Sequence, residues 1–370
     1  MRILRAEIED FRNIAHAELE PAPHFTALIG PNGQGKTNTL EAIYLVSALR
    51  PLRSVQRRAL IRAQRPSARV RLKVEKRSTG LVHDLEIVLE GRARTLSKDE
   101  KKADTASFLG LAVAVAFTPD DLSLPKGGPE ARRRFLDRAL LNIRPAYLMR
   151  ALRYTRAIKE RNRLLAIGGQ DDVLDAYDEV IAEEGTAIML ARAAYALEIA
   201  PEVEREFEGI AHPAPKLSLE YTSALDVGTQ AETKARFLER LGARRIEDRR
   251  RKTTSVGPHL DDLEIRLDGI LVKERASQGQ HRAIVLALKL AEIAHLTERL
   301  KEPPILLLDD MSSELDRVRS EQLFEAIGRR EGQVILTSTE DPRALIARLG
   351  RDSPLVTYDV QNGALERRPA

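Results

Sequence analysis

Gly30-Pro31-Asn32-Gly33-Gln34-Gly35-Lys36-Thr37 decides how this chain of 370 residues is read. A glycine, four residues and then Gly-Lys-Thr is the spacing of a phosphate-binding loop. The flanks fit that reading. Phe25-Thr26-Ala27-Leu28-Ile29 is a short apolar run of the kind that forms a buried strand. Thr37 to Leu49 carries Leu40, Ile43, Tyr44 and Val46 at helical spacing. A strand, a glycine-rich turn and a helix start leave bare N–H groups facing one point, where they and the helix dipole favour an anion. Gly33 and Gly35 supply backbone angles that other residues avoid. Pro31, Asn32 and Gln34 complete the loop, Lys36 is expected on the β- and γ-phosphates of a nucleotide, and the Thr37 hydroxyl on Mg²⁺.

The partner of such a loop is an apolar strand ending in carboxylates. Ile305-Leu306-Leu307-Leu308 followed by Asp309-Asp310 has that form. Asp309 is the candidate for holding Mg²⁺, directly or through water. Asp310 is the candidate for orienting or deprotonating an attacking water. Ser313-Glu314-Leu315-Asp316 follows as a loop. A further candidate is Ser277-Gln278-Gly279-Gln280, which opens a strong helical pattern from His281 to Leu300. A hydroxyl and a glycine at a helix N-terminus allow close approach of a phosphate, although the same four residues also make an ordinary N-cap.

Bulk properties bound the rest. The composition, 43% hydrophobic and 31% charged, is that of a soluble globular chain. No apolar run is long enough to span a bilayer, and Met1 to Glu7 has no secretory apolar core. With no cysteine there is neither a disulfide framework nor a thiolate metal site. Cytoplasmic residence, without membrane attachment, is the expectation. A net charge of +4, rich in arginine, biases toward anionic partners. The absence of Trp and an aromatic content of 4% argue against holding single strands by base stacking.

Along the chain, Ile3 to Phe11 reads as a strand, Arg12-Asn13 as a turn, and Ala15 to Leu19 as the returning strand. Arg50, Arg53, Arg57, Arg58, Arg62 and Arg65 form a basic stretch that is either a solvated face or a nucleic-acid contact. Arg69 to Glu75 and Leu81 to Leu89 alternate like paired strands around Ser78-Thr79-Gly80. Lys98 to Phe108 reads as helix, and Ala112 to Phe117 as a buried central strand. From Pro129 to Leu241 the pattern is mostly helical. One helix spans Arg144 to Ile167 and another Asp171 to Ile199, the second stopping before Pro201. Lys216 to Tyr221 reads as a strand. Arg249-Arg250-Arg251-Lys252 is a basic block, an exposed face or a phosphate contact. Strand Leu263 to Leu267, helix Ser320 to Ile327 and strand Val334 to Thr337 return to α/β character.

Several stretches carry a family resemblance. They are Asp10-Phe11-Arg12-Asn13, the phosphate loop with Asn38 and Leu40-Glu41-Ala42-Ile43, and Pro119-Asp120 through Gly127-Gly128-Pro129 with Arg132-Arg133 and Phe135-Leu136-Asp137. To these add Gly257-Pro258-His259 with Asp261-Asp262, then Ala276 to Gln280 with Arg282, and Leu307 to Asp310 with Ser313 to Asp316. Together they resemble the RecF family, bacterial recombination-mediator ATPases of the SMC-like branch. Ser277-Gln278-Gly279-Gln280 resembles the signature loop of ABC-type ATPases, which binds the γ-phosphate held by a second subunit. Departures are Pro125 before Gly127-Gly128-Pro129, Leu260 after His259, and His281. Thr337-Ser338-Thr339 stands where transporters carry a switch His, and Asp120 is assigned to the Q-loop position.

The resemblance implies an α/β, ABC-type ATPase head of mixed sheet, residues 1–118 and 257–370, with an inserted, mainly helical lobe at 119–256. It implies ATP and Mg²⁺ as cofactors, bound by Arg12, Asn13, the loop from Gly30 to Thr37, Asn38 and Ser277 to Gln280. Lys36, Ser277 and Asp310 are then the catalytic set, with Thr37 and Asp309 on the metal. It further implies an ATP-induced homodimer on duplex DNA at single-strand gaps, slow DNA-stimulated hydrolysis, and work with RecR and RecO to direct RecA. The competing reading is the ATP-driving subunit of a transporter. It calls for a shorter chain, a Glu as second acid and a switch His. An SMC-type chromosome protein would need much longer arms.

Overall fold

The computed structural model describes residues 1–53, 56–211, 214–310, 317–341, 343, 346 and 355–369. The Ser313 to Asp316 loop lies outside the described residues. The chain divides into two compact units, Met1–Leu122 with Arg282–Ala370, and Ser123–His281.

The first unit is built on two sheets. One contains β3 (Phe25–Ile29), β8 (Ala114–Phe117), β12 (Ile305–Leu308), β13 (Val334–Ser338), β14 (Leu355–Gln361) and β15 (Ala364–Arg367). Their order is β15-β14-β3-β13-β12-β8, parallel throughout except for the β14–β15 hairpin. All residues of β3, β8, β12 and β13 are buried, which is why these strands read as continuous apolar runs. The second sheet is antiparallel, with β2 (Ile14–Leu19), β1 (Arg2–Phe11), β4 (Ser67–Lys76), β5 (Leu81–Glu90), β6 (Ala93–Lys98) and β7 (Lys101–Lys102) in that order. Val70, Leu72 and Val74 of β4 are buried, with Leu85, Ile87 and Leu89 of β5. Ion pairs such as Arg71–Asp84 occupy the other face, as period-2 alternation requires. Helix α1 (Lys36–Ala48) follows β3; after its polar first turn it is mainly apolar from Leu40 onward, Glu41 and Ser47 excepted, and every residue from Thr39 to Ala48 is buried.

Lys98 to Phe108 is not a helix. Asp99 and Glu100 both take left-handed angles, φ 50° and 63°. They form the two-residue turn joining β6 to β7, with Lys98 opposite Lys101. Only α2 (Thr105–Phe108) remains helical, capped by the Asp104 carboxylate.

The second unit carries α3 (Pro129–Ile143), α4 (Ala146–Ile167), α5 (Asp171–Ile210) and α6 (Gln230–Arg251). Its small sheet, β11-β10-β9, comprises β9 (Leu217–Thr222), β10 (Asp262–Leu267) and β11 (Ile270–Leu271), followed by α7 (Val272–Arg275). Helix α5 continues through Pro201 rather than stopping before it. The carbonyl that loses its donor is that of Leu197, an exposed residue, while Val203 and Phe207 beyond the proline are buried. Packing of those two side chains outweighs the local cost. Residues 257–281 belong to this unit because β10 pairs with β9 along its whole length. The boundaries therefore fall at Leu122/Ser123 and His281/Arg282, not at 118/119 and 256/257. Arg161 is fully buried here, paired with Asp178 and Asp248 at 2.5 and 2.8 Å. Helix α8 (Gln278–Leu300), a helix at Arg317–Gly328 and single turns at Arg57–Leu60 and Pro119–Ser123 are the remaining described helical elements. No described helix is long and apolar enough to cross a membrane.

Candidate nucleotide and metal site

The phosphate loop runs from the end of β3 into α1. Gly33 and Gly35 have φ of 81° and 114°. A Cβ on Gly35 would lie 3.0 Å from the Asn13 side chain and 3.2 Å from the Gly363 Cα, so the position needs glycine for both angle and space. The first helical bond, from Thr39 N–H to Gly35 O at 2.9 Å, starts α1 at the loop. The Lys36 side chain folds back over it. Its ammonium donates to Gly30 O at 2.5 Å and Pro31 O at 2.9 Å. Two of its three donors are thus taken by loop carbonyls. Lys36 is 5% exposed. Burial lowers its pKa, while the nearby Asp310 and Asp309 carboxylates oppose that shift.

Strand β12 delivers the acids. The Asp309 Oδ1 accepts from the Thr37 hydroxyl at 2.7 Å and from the Thr337 hydroxyl at 2.9 Å. Asp309 is 7% exposed. Burial pushes its carboxyl above the usual range, and the neighbouring Asp310 adds to this, against the two hydroxyl hydrogen bonds and Arg53. Asp310 takes φ 47°, a left-handed angle that Asp tolerates, and its N–H donates to Thr337 Oγ1 at 2.8 Å. Thr337, read from sequence as lying where transporters carry a switch His, thus ties both acids to the end of β13. A cavity of about 220 Å³ is lined by Asn32, Gly33, Gly35, Lys36, Thr37, Asn38, Arg53 and Asp310.

Arg12 and Asn13 sit beside the loop. Arg12, at φ 53°, donates to the Glu41 carboxylate at 2.9 Å and to Ala59 O at 3.0 Å. Glu41 is fully buried on α1. Asn38 Nδ2 donates to Asn13 Oδ1 at 2.8 Å, and Arg53 donates to Asn38 Oδ1 at 3.0 Å. Of the six arginines in the basic stretch, Arg53 lines this cavity, whereas Arg62 and Arg65 pair with Asp10. The Arg53 and Glu41 contacts were not foreseen from sequence. The available signal was a glutamate inside an otherwise apolar helix, since a buried carboxylate needs a cation.

Ser277 to Gln280 belong to the second unit. The Ser277 hydroxyl accepts from Gln280 N–H at 3.1 Å, and Gln280 Oε1 accepts from Ser277 N–H at 2.8 Å. This is a reciprocal capping box at the start of α8, with Ser277 and Gln278 exposed. The neighbouring family motifs form a polar hub. Arg132 forks onto both Asp262 oxygens at 2.7 and 2.8 Å, Arg133 donates to Asp261 O at 2.7 Å, and Tyr154 bonds His259 Nδ1 at 2.6 Å. Asp120 lies in the single-turn segment Pro119–Ser123. The basic block ends α6, where Arg249 pairs with Asp171, and Arg250 and Arg251 with Glu247.

No group of three or more His, Cys, Asp or Glu that could hold a metal exists among the described residues. Mg²⁺ does not need one, because it binds through one or two protein oxygens together with phosphates and water. Thr37 and Asp309 offer such a pair, and the open space at Gly33, where an added Cβ would meet no atom within 4 Å, leaves the loop accessible to a phosphate chain.

The family model for the RecF/RecN/SMC N terminal domain matches residues 2–349. The class is thus an ABC-type ATPase head, which the parallel sheet, phosphate loop and paired acids already describe. The DNA replication and repair protein RecF of Anaeromyxobacter dehalogenans strain 2CP-C is 41% identical over 99% of this chain and 99% of that protein. The solved structure of the recombination mediator protein RecF-ATPrS in the RecFOR pathway aligns with TM-score 0.90 and 27% identity, covering 100% of this chain and 98% of that one. The corresponding RecF-ATP structure aligns with TM-score 0.87 and 27% identity, over 99% and 97%. The chain belongs to the RecF family of DNA replication and repair proteins.

Proposed function

We propose that the chain is an ATP-gated DNA-binding protein of recombinational repair, acting in the cytoplasm and hydrolysing ATP slowly as a switch. The observation that carries this reading is the Thr37–Asp309 contact of 2.7 Å at the edge of the phosphate-loop cavity, which joins residues far apart in sequence. In the proposed mechanism, the loop N–H groups and the Lys36 ammonium hold the phosphate oxygens. The Thr37 hydroxyl and the Asp309 carboxylate would hold Mg²⁺, which when bound would supply positive charge beside the phosphates. Arg12, Asn13 and Asn38 fix the loop and complete the nucleotide site. Asp310 accepts the proton of the attacking water.

Ser277 to Gln280 of a second copy close over the γ-phosphate, so ATP assembles a homodimer on duplex DNA at gap junctions. RecR, RecO and RecA are the partners in this pathway, as the resemblance and the RecFOR context of the solved relatives support. Asp310, Thr337-Ser338-Thr339 and the Ser123–His281 unit disfavour the transporter reading.

The test mixes two variants. Ser277→Arg is expected to bind ATP as a monomer but not dimerise, and Lys36→Ala to lose ATP. Partial recovery of ATPase in the mixture, absent from either alone, is the expected result. ATP-dependent dimers of Ser277→Arg equal to the parent's would reduce Ser277 to the helix cap that its hydrogen bonds already make it.

A further inference from the structure

We infer that the Asn362-Gly363 turn at the tip of the C-terminal hairpin is a positioning element for the phosphate loop. The inference rests on the nucleotide-site reading above. Strand β14 runs parallel to β3, with Tyr358 opposite Leu28 and Asp359 opposite Ile29, so the chain beyond β14 arrives beside the loop beyond β3. There the β14–β15 hairpin turns through Asn362 and Gly363, both left-handed at φ 51° and 83°. Gln361 and Ala364 close the pair. This is the Asn-Gly turn whose twist suits two adjacent strands.

Both turn N–H groups are spent on one loop residue. Gly363 N–H donates to Gln34 O at 2.7 Å, and Asn362 N–H donates to Gln34 Oε1 at 2.8 Å. Gly363 also packs against the turn that follows β1. A Cβ there would lie 2.7 Å from Asn13 O and 2.9 Å from Ile14 Cα. Asn13 in turn abuts Gly35. Gln34 is therefore gripped from the C-terminal hairpin, and Gly35 is walled by Asn13 and Gly363.

The physical purpose follows from composition. A loop with glycines at 30, 33 and 35 loses more conformational freedom on ordering than any other sequence would. If that order is imposed before ligand arrives, binding need not supply it. Two hydrogen bonds that occupy the carbonyl and side chain of Gln34 hold the loop's shape without consuming its N–H groups. On the nucleotide-site reading, the loop N–H groups beyond Gly30 are then left for phosphate. The hairpin acts through the loop, so Asn362 and Gly363 are positioning residues and touch no reacting atom.

The test uses the full chain in four forms: parent, Lys36→Ala, Gln34→Ala and Gly363→Ala. Affinity for a fluorescent ATP analogue and for ADP with Mg²⁺, thermal unfolding without nucleotide, and hydrogen exchange of the loop amides are measured for each. Gln34→Ala removes one brace and is expected to weaken ATP and ADP alike by about 3- to 10-fold, the range of one lost hydrogen bond. Its unfolding temperature without nucleotide stays at the parent value, and its loop amides exchange faster. Gly363→Ala shifts affinity and exchange in the same direction, and if it does not fold, Gln34→Ala alone carries the test. Parent-like nucleotide binding by Lys36→Ala would remove the nucleotide-site reading itself. Loss of binding in Lys36→Ala, with parent-like affinity and loop exchange in Gln34→Ala, overturns the positioning role alone. A fall in affinity matched by a fall in unfolding temperature also overturns it, because the contact is then one of general stability.

Discussion

Asp309→Asn is expected to move nucleotide binding and apo stability in different directions. Asp309 is 7% exposed, and its Oδ1 accepts both the Thr37 and Thr337 hydroxyls. Asparagine keeps an acceptor in that place and removes the charge. On the ligand side, a carboxylate and a divalent cation about 4 Å apart attract by roughly 8 kcal/mol at an effective dielectric of ~20. Stripping water from both offsets most of that. A net loss of about 2–3 kcal/mol, typical of a contact to a charged group, weakens Mg²⁺-ATP by about 30- to 150-fold.

On the stability side, burial raises the Asp309 carboxyl above its ordinary 3.8. A raised folded value gives stability that is full below the unfolded pKa and lost as pH rises through the folded one. The ionised parent therefore carries a cost at neutral pH that the variant lacks. Without nucleotide, and with a chelator present, Asp309→Asn should unfold at an equal or higher temperature than the parent. The gap should shrink as pH falls from neutral to about 4, and subtracting variant from parent removes the slopes of the other carboxylates. Titration calorimetry with Mg²⁺-ATP reads the first effect and thermal unfolding across pH the second. A variant that is clearly less stable than the parent at neutral pH, yet binds Mg²⁺-ATP unchanged, would refute the reasoning. Asp309 would then be only an acceptor for two threonines.

Asp310→Asn should leave ATP affinity intact while hydrolysis falls by about 100-fold or more, the scale of a lost general base; ATP-bound dimers should accumulate on gel filtration, and a parent-like rate would put the base elsewhere. Duplex DNA binding should weaken steeply between about 50 and 200 mM salt and depend little on sequence, whereas a flat salt response in a filter-binding titration would count against phosphate contacts. Arg161→Ala removes the buried cation shared by Asp178 and Asp248, leaving Asp178 on Arg245 and Asp248 with only the Ser255 donors, so the Ser123–His281 unit should lose about 3 kcal/mol in denaturant unfolding; an unchanged midpoint would show that the Arg161 pairs are stability-neutral.

What the sequence determined by itself was local. Gly30 to Thr37 between an apolar strand and an apolar helix, and Leu307 to Asp310 at a strand end, are short-range patterns whose chemistry is written in residue type and spacing. The buried strands were legible for the same reason, because full burial on both faces leaves an uninterrupted apolar run. Tertiary structure decided what depends on neighbours distant in the chain. The 98–108 segment fails as a helix because β6 and β7 pair across left-handed Asp99 and Glu100. Pro201 does not end α5 because Val203 and Phe207 gain more by packing than one lost hydrogen bond costs. The resemblance pointed to Arg12, Asn13 and Asn38, but the pairings that hold the loop were not legible. Thr337 bonds Asp309, Arg12 and Arg53 meet on Glu41, and Asn362 with Gly363 grips Gln34. Each is a side chain or an N–H of ordinary type that acquires a role only through neighbours distant in the chain: Thr337, Asn362 and Gly363 when the parallel sheet sets β13 and β14 on either side of β3, and Arg12 and Arg53 when they meet Glu41 of α1.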